Sequence, residues 1–364
     1  MPSTKKNLTW SKTTELVSLA FDLTPKSEAT LYPQYTTGFH AWFLNQVRIS
    51  NPELSAYLHD GQSEKPFTIS QLEGNLLPSG KDLRIFPDQT YRWRLTALSK
   101  QVAQWFATWV TSLPDSISLR HCLLKIQKVE LALPATTYRA LLSSKPSVNP
   151  NMKLSFITPT SFRRKKHHFP LPVPYNIFHS YLRRWNDFSQ NAVDQEAFLE
   201  WVDNNVIINR HRIESIKVPA GKSGMVTGFT GAVELSLQNS TNSNPEFEQL
   251  FYALGRLAPY CGTGHKTTFG LGETRLGWIE EIQTTSMIQS VVAQRIEELT
   301  AIFKAQRKRT GGERASNIAE KWATILARRE IGESLLDISK DMNIPYESVK
   351  TYVKLARRSL KDIN

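Results

Sequence analysis

Two stretches of the chain, 15–131 and 153–276, carry the same succession of hydrophobic patterns, and that succession leaves few folds open. In the first, 15–23 alternates as a strand, with Leu16, Ser18 and Ala20 against Val17, Leu19 and Phe21. A helix over 37–47 follows, placing Phe39, Phe43 and Val47 on or near one face. Asn51-Pro52-Glu53 then starts a short helix: a capping amide, a proline at the first position and an acid in the first turn. It carries Leu54, Tyr57 and Leu58 and stops at His59-Asp60-Gly61. Strands over 67–72 and 91–95, a helix over 101–110 and a strand over 123–131 complete the series. Strand, helix, strand, strand, helix, strand is the ferredoxin-like plan.

The second stretch repeats it. A strand over 153–158 ends at Pro159, and a helix over 175–188 buries Phe178, Tyr181, Leu182 and Trp185, with Arg183 and Arg184 expected on its more exposed side. Paired strands over 206–218 and 225–237 meet across a turn at 219–224. An amphipathic helix over 245–257 (Phe247, Leu250, Phe251, Leu254, Leu257) runs into the chain's richest glycine segment. The expected class is α+β: two tandem ferredoxin-like (βαββαβ) domains at 10–135 and 150–285, joined through the Ser-, Thr- and Pro-rich 134–150. An all-α addition follows, a helical linker at 286–312 and a helix-turn-helix domain at 313–364.

The glycine segment, YCGTGHKTTFGLGETRLGW, interleaves Gly262, Gly264, Gly270, Gly272 and Gly277 with His265, Lys266, Thr267 and Thr268. Glycines around a cation suit contact with phosphate, because backbone N–H groups approach without a Cβ in the way. A mobile surface loop would have the same composition. The string GKSG in the 219–224 turn is no P-loop, since Ile216 stands where that motif needs its first glycine and no helix follows. With 45 Lys and Arg against 33 Asp and Glu, the formal charge is +12, which favours a polyanionic partner, nucleic acid before membrane. The densest cluster, SFRRKKHHFPLP, puts Arg163, Arg164, Lys165 and Lys166 in a loop suited to RNA contact. His167 and His168 lack ligand spacing or a partner acid, and Cys122 and Cys261 make neither a disulfide framework nor a zinc site; no metal or cofactor is expected. MPSTKKNLTW lacks the apolar region of a signal peptide and no apolar run is long enough to span a bilayer, so a cytoplasmic location without a membrane partner is expected.

Among ionisable residues, His59 is the most informative. At a helix C-terminus, carbonyl partial charges favour a protonated imidazole, and Lys65 follows across a polar turn. Beside an RNA phosphate the pair would protonate a 5′-oxygen leaving group and stabilise developing charge. A surface histidine in a polar turn is the alternative reading. His40, between Phe39 and Trp42 on the preceding helix, is the second candidate, or else a packed histidine.

Three segments, NPELSAYLHDGQSEKPFTIS, TPTSFRRKKHHFPLPVP and ALGRLAPYCGTGHKTTFGLGE, resemble the CRISPR-associated repeat-processing endoribonucleases of the RAMP superfamily, in that family's order. The resemblance implies metal-independent cleavage of CRISPR precursor RNA within each repeat. The ribose 2′-OH attacks the adjacent phosphate, leaving a 2′,3′-cyclic phosphate and a 5′-OH. It implies catalysis by the histidine of the YLHD-like position, His59, with Lys65 where some members carry an active-site lysine. Members with a tyrosine base place it near Leu44, where this sequence has none; His40, one turn away, is the substitute. The glycine segment with Lys266 would hold the RNA strand. Implied partners are CRISPR repeat RNA and subunits of a CRISPR effector complex.

Beyond Trp278 the resemblance ends. Helices are expected over 286–308, 313–330, 334–342 and 346–360, and LLDISKDMNIPYESVKTYVKLARRSLK resembles the helix-turn-helix of sigma-factor region four. Ile338, Met342, Ile344, Val349, Val353, Ala356 and Leu360 supply a small core, and Asn343 tolerates the left-handed turn. Lys350, Lys354, Arg357 and Arg358 suit phosphate contact beside a major groove, or a protein partner. A DNA-binding regulator or a non-catalytic CRISPR RNA-binding subunit is the alternative function.

Overall fold

The structure, a computed structural model, describes residues 8–59, 64–79, 82–120, 122–144, 151–165, 167–219, 225–238, 244–280, 285–306, 313–330 and 333–361. The chain opens with β1 (Leu16–Pro25), β2 (Ala29–Leu31), α1 (Tyr35–Ser50) and α2 (Pro52–His59). Asn51 caps α2 by accepting the Leu54 N–H through Oδ1 at 2.9 Å. Then come β3 (Phe67–Ile69), β4 (Leu77–Ser79), β5 (Asp82–Ile85), β6 (Tyr91–Ala97), α3 (Lys100–Trp109), β7 (Ser116–Leu119) and β8 (Cys122–Thr136). The main sheet runs β3-β6-β1-β8-β7, its pairings antiparallel, and β2-β5-β4 form a small second sheet. With β7 set aside, that is the ferredoxin-like order.

The described part of the region expected to connect the domains, 134–144, is built into them. Residues to Thr136 prolong β8, and α4 (Tyr138–Ser143) packs its buried Tyr138 into the second core, where the phenol donates to the Leu98 carbonyl at 2.7 Å. The second unit contains β9 (Met152–Thr160), β10 (Phe162–Arg164), β11 (His167–Phe169), α5 (Pro174–Phe188), α6 (Gln195–Asn205), β12 (Val206–Pro219), β13 (Met225–Leu237), α7 (Pro245–Cys261) and β14 (Thr274–Leu276). Its sheet order, β12-β13-β9-β14, repeats the ferredoxin-like arrangement. The basic segment expected as a loop is a hairpin instead, β10 pairing antiparallel with β11.

Strand β1 is buried on both faces. Val17, Leu19, Phe21 and Leu23 point into the first core with Phe39 and Phe43 of α1. The other face is small and polar. Ser18 Oγ and Thr96 Oγ1 share a hydrogen bond at 2.7 Å, and Thr68 Oγ1 donates to the Tyr260 carbonyl of α7 at 3.0 Å. Short side chains let α7 lie against β1, β3 and β6, so the second unit covers a sheet face that would otherwise meet water. This docking positions the site, because the glycine segment is the continuation of α7.

The remaining helices are α8 (Thr285–Ala305), α9 (Glu313–Glu330), α10 (Leu335–Asp341) and α11 (Tyr346–Lys361). Val292, Ile296, Leu299 and Phe303 of α8 share a core with Ala319, Ala323, Leu326 and Ala327 of α9, and Ala293 joins the first core. From Val292 to Phe303, α8 is therefore packed structure rather than a spacer. No described helix is long and apolar enough to cross a membrane.

Candidate active site

After Cys261 the chain turns at Gly262 (φ +65°), whose N–H still donates to the Ala258 carbonyl at 2.9 Å. The loop then lies back along the end of β9. His265 donates its N–H to the Ser161 carbonyl at 3.1 Å, and Gly272 donates to the Pro159 carbonyl at 3.1 Å. Thr263 donates to the Gly272 carbonyl at 2.7 Å, and Gly264 to Ser180 Oγ at 2.8 Å. Gly264 (φ +80°) and Gly272 (φ +71°) have positive φ, and a Cβ on either would strike the carbonyl of Ser161 or Thr263 respectively. The N–H groups of Gly262, Thr263, Gly264, His265 and Gly272 are thus engaged inside the protein. A phosphate cradle built from those N–H groups is not what this loop forms; the glycines admit backbone against backbone.

The tip of the loop reaches the first unit. A Cβ on Gly270 would lie 2.8 Å from Gln71 Cγ and 3.2 Å from Thr36 Cγ2, so glycine allows the close approach. Beside it Phe269, 37% exposed, stacks on the His40 ring with centroids 4.5 Å apart. Phe67 flanks the same imidazole, its ring centroid 5.7 Å away. Burial pushes the His40 pKa down to about 4, with the nearby charges of His59 and Lys65 adding to the effect. His59 closes α2 and is exposed; Lys65 Nζ donates to the Leu58 carbonyl at 2.7 Å and so caps the same helix end. The three residues singled out from sequence therefore gather where α1, α2 and the loop tip meet.

Next to this cluster a cleft of about 260 Å³ opens between the two units. Lys65, Arg163, His179, Arg183, His265 and Lys266 line it, and Glu64 is the only acid among the described lining residues. Glu64 pairs with Arg183 and, at 3.3 Å, with Arg184 Nε. Lys266, itself at φ +63°, has its pKa lowered by burial and by Arg163. Anion binding would relieve both. In the hairpin, Lys165 takes φ +52° at the turn, Arg163 faces His168 across the strands, and Arg164 lies over the Phe169 ring at 5.6 Å. His168 stacks on His265 with centroids 5.0 Å apart. Burial leads the lowering of both their pKa values, with Lys266 and Arg163 contributing. Arg163, Arg164 and Lys165 are exposed; Lys166 lies outside the described residues.

Arg184 corrects one expectation. It is 4% exposed, not solvent-facing, and donates to Ser180 O at 2.9 Å, Ser180 Oγ at 2.7 Å and the Gly264 carbonyl at 2.8 Å. Adjacent helical residues point about 100° apart. That turn puts Arg184 at the edge of the buried face with Ile177 and Phe188, while Arg183 remains in the cleft. Its i+4 spacing from Ser180 was the available signal. Nothing local in the sequence pointed to Phe269 as the partner of His40, or to the Thr263 hydroxyl bridging Tyr181 and Thr274 at 2.6 Å each. Lys350, Lys354, Arg357 and Arg358 are exposed on α11, which packs on α9 and α10.

Comparison with known proteins bears on both units. The sequence matches the family described as CRISPR-associated endoribonuclease Cas6 over 154–274 and the CRISPR Cas6 N-terminal domain over 16–117. Among solved structures, one Cas6 product complex superposes with a TM-score of 0.60 at 25% identity, over 72% of this chain and 100% of that one. A second Cas6 product complex gives 0.57 at 24% identity, over 72% and 99%, and Thermus thermophilus Cas6 gives 0.53 at 25%, over the same shares. No protein of curated function matches the chain in sequence.

Proposed function

The chain belongs to the CRISPR-associated endoribonuclease Cas6 family, and we propose that it cuts CRISPR precursor RNA within the repeats, without a metal, by attack of a ribose 2′-OH on the neighbouring phosphate. The O2′–P bond forms as the P–O5′ bond breaks, giving a 2′,3′-cyclic phosphate and a 5′-OH end. The observation that carries this reading is the meeting of His40, His59 and Lys65 beside the glycine loop tip.

The roles divide by environment. His40, with its pKa lowered to about 4, is a neutral imidazole near pH 7 and takes the 2′-OH proton. Exposed His59, at the end of α2, gives a proton to the departing 5′-oxygen, and Lys65 stabilises the negative charge that builds on phosphorus-bound oxygen. The strand itself is held by Arg163, Arg164 and Lys165 of the hairpin, by Lys266 and by Arg183. Phe269 offers a face on which a base stacks.

A repeat transcript incubated in EDTA with wild type, His59→Ala and His40→Ala tests the assignment. The expected result is full cleavage by wild type and a loss of about 10²–10⁴-fold in rate for each variant, with RNA affinity kept. Loss of wild-type activity in EDTA, or equal cleavage by all three, overturns it.

A further inference from the structure

The four helices after the second unit present a charged face outside the site described above. Residue Asn343 takes φ +50° between α10 and α11. The turn is locked by the Ile344 N–H donating to the Ser339 carbonyl at 3.1 Å and Ser339 Oγ donating back to the Ile344 carbonyl at 2.6 Å. Ile338 of α10 and Val349 and Val353 of α11 bury against Ile325 of α9, so the pair of helices is held in one geometry. This leaves Lys350, Thr351, Lys354, Arg357 and Arg358 exposed.

Spacings of four and three place Lys350, Lys354 and Arg357 in one stripe rising about 10 Å along the helix, with Arg358 alongside. No acid occurs in the sequence from Lys350 to Lys361. Two arginines elsewhere in the extension are paired, Arg295 with Glu330 at 2.7 Å and Arg328 with Asp341 at 2.6 Å. On the stripe, Lys350 has only the exposed Glu347 at 3.8 Å, and Lys354, Arg357 and Arg358 make no ion pair among the described residues. Cations concentrated on the exposed face of one packed helix repel one another until an anion with regularly spaced charge lies against them.

We infer that α11 is a docking face for duplex DNA, entering the major groove with its N-terminal half. A helix about 10–12 Å across fits the roughly 12 Å major groove of B-form DNA. The deep, narrow major groove of A-form RNA does not admit it, which sets the DNA reading apart from the RNA substrate. Two helices joined by a fixed turn, the second leaving one face exposed, are also how such docking is commonly built. At the leading end Tyr346, Glu347, Lys350 and Thr351 are exposed, offering donors and an acceptor to base edges while the later cations meet phosphates.

The test uses the full chain, a labelled DNA duplex of about 30 base pairs at 50–200 mM salt, and the variant carrying Lys350→Ala, Lys354→Ala, Arg357→Ala and Arg358→Ala. Alanine is the best helix former, so the fold of α11 survives the change. Wild type is expected to bind with steep salt dependence. The variant should bind at least tenfold more weakly, its log–log salt slope shallower by about 3 to 4. Cleavage of repeat RNA by the same preparation should be unchanged. Absence of duplex binding at low salt, or equal affinity and slope in both proteins, overturns the inference. So does a variant that loses RNA affinity while keeping DNA affinity. Because cleavage is read separately, failure here leaves the endoribonuclease reading intact.

Discussion

At the scale of single residues, His40 shows how packing sets chemistry. Between Phe269 and Phe67 its charged form is poorly solvated, and the charges of His59 and Lys65 oppose protonation further. A base with a pKa of about 4 stays unprotonated well below neutrality, so single-turnover cleavage should hold its base function down to about pH 5 and lose it as pH approaches about 4. Lys65→Met removes one of the two neighbouring charges; the His40 pKa then rises toward the ordinary 6.5 and the acidic limb of the pH–rate profile moves to higher pH. An unmoved limb would mean that His40 is not the group titrating. Stability follows the same sign. Between pH 6.5 and about 4 the unfolded chain binds a proton that folded His40 does not, so this residue's contribution is intact above 6.5 and is lost as pH falls. Sequence alone named His40 but ranked it second, because its burial and charge neighbours come from elements far apart in the chain. Its Phe269 contact, above all, exists only after α7 has docked.

At the scale of elements, the glycine loop was the most visible feature in the sequence and its reason the least. Five glycines near a lysine suggested room for phosphate, whereas Gly264 and Gly272 make room for the backbone of Ser161 and Thr263. Composition cannot separate these uses, since both require φ > 0 and a missing Cβ. Substitution separates them. Gly272→Ala combines a left-handed φ with a collision against backbone that cannot rotate away, and should cost about 2–5 kcal/mol in urea unfolding. Gly277→Ala, also at positive φ (+96°) but with nothing within 4 Å of the added carbon, should cost only about 1 kcal/mol. Equal costs would mean that backbone conformation, not the approach of Thr263, is what Gly272 serves. The longer helices and strands of both units were readable, as were the Asn51 cap and the left-handed Asn343, which follow from local chemistry; the β2-β5-β4 sheet, α4, α6 and the β10–β11 hairpin were not.

At the scale of the whole molecule, tandem units could be read from the repeated pattern, but not how they meet. The docking face of the first sheet is made of Ser18, Thr68 and Thr96, residues that look solvent-facing in an alternating strand, and only α7 makes them interior. A second contact between the units is ionic. Arg94 of β6 pairs with Glu73, at 2.5 Å, and with Glu273, while Arg275 reaches Glu73 at 2.7 Å and Glu273 at 2.9 Å. Two cations and two acids alternate, and Glu273 is the most enclosed, its side chain 13% exposed. Such a group is costly to break on one side, because the charges left behind stay partly desolvated. Glu273→Met leaves Arg94 and Arg275 sharing Glu73 and should lower stability by about 1–3 kcal/mol, opening the join between β6 and the glycine loop. Adding Arg94→Met restores one cation to one acid. The double variant should therefore be more stable than Glu273→Met alone, an interaction of about 1 kcal/mol or more in a double-mutant cycle. Strict additivity of the two single changes would show that the four charges act as solvated surface groups, and that the packing of α7 and the loop tip, not this ionic group, holds the units in register.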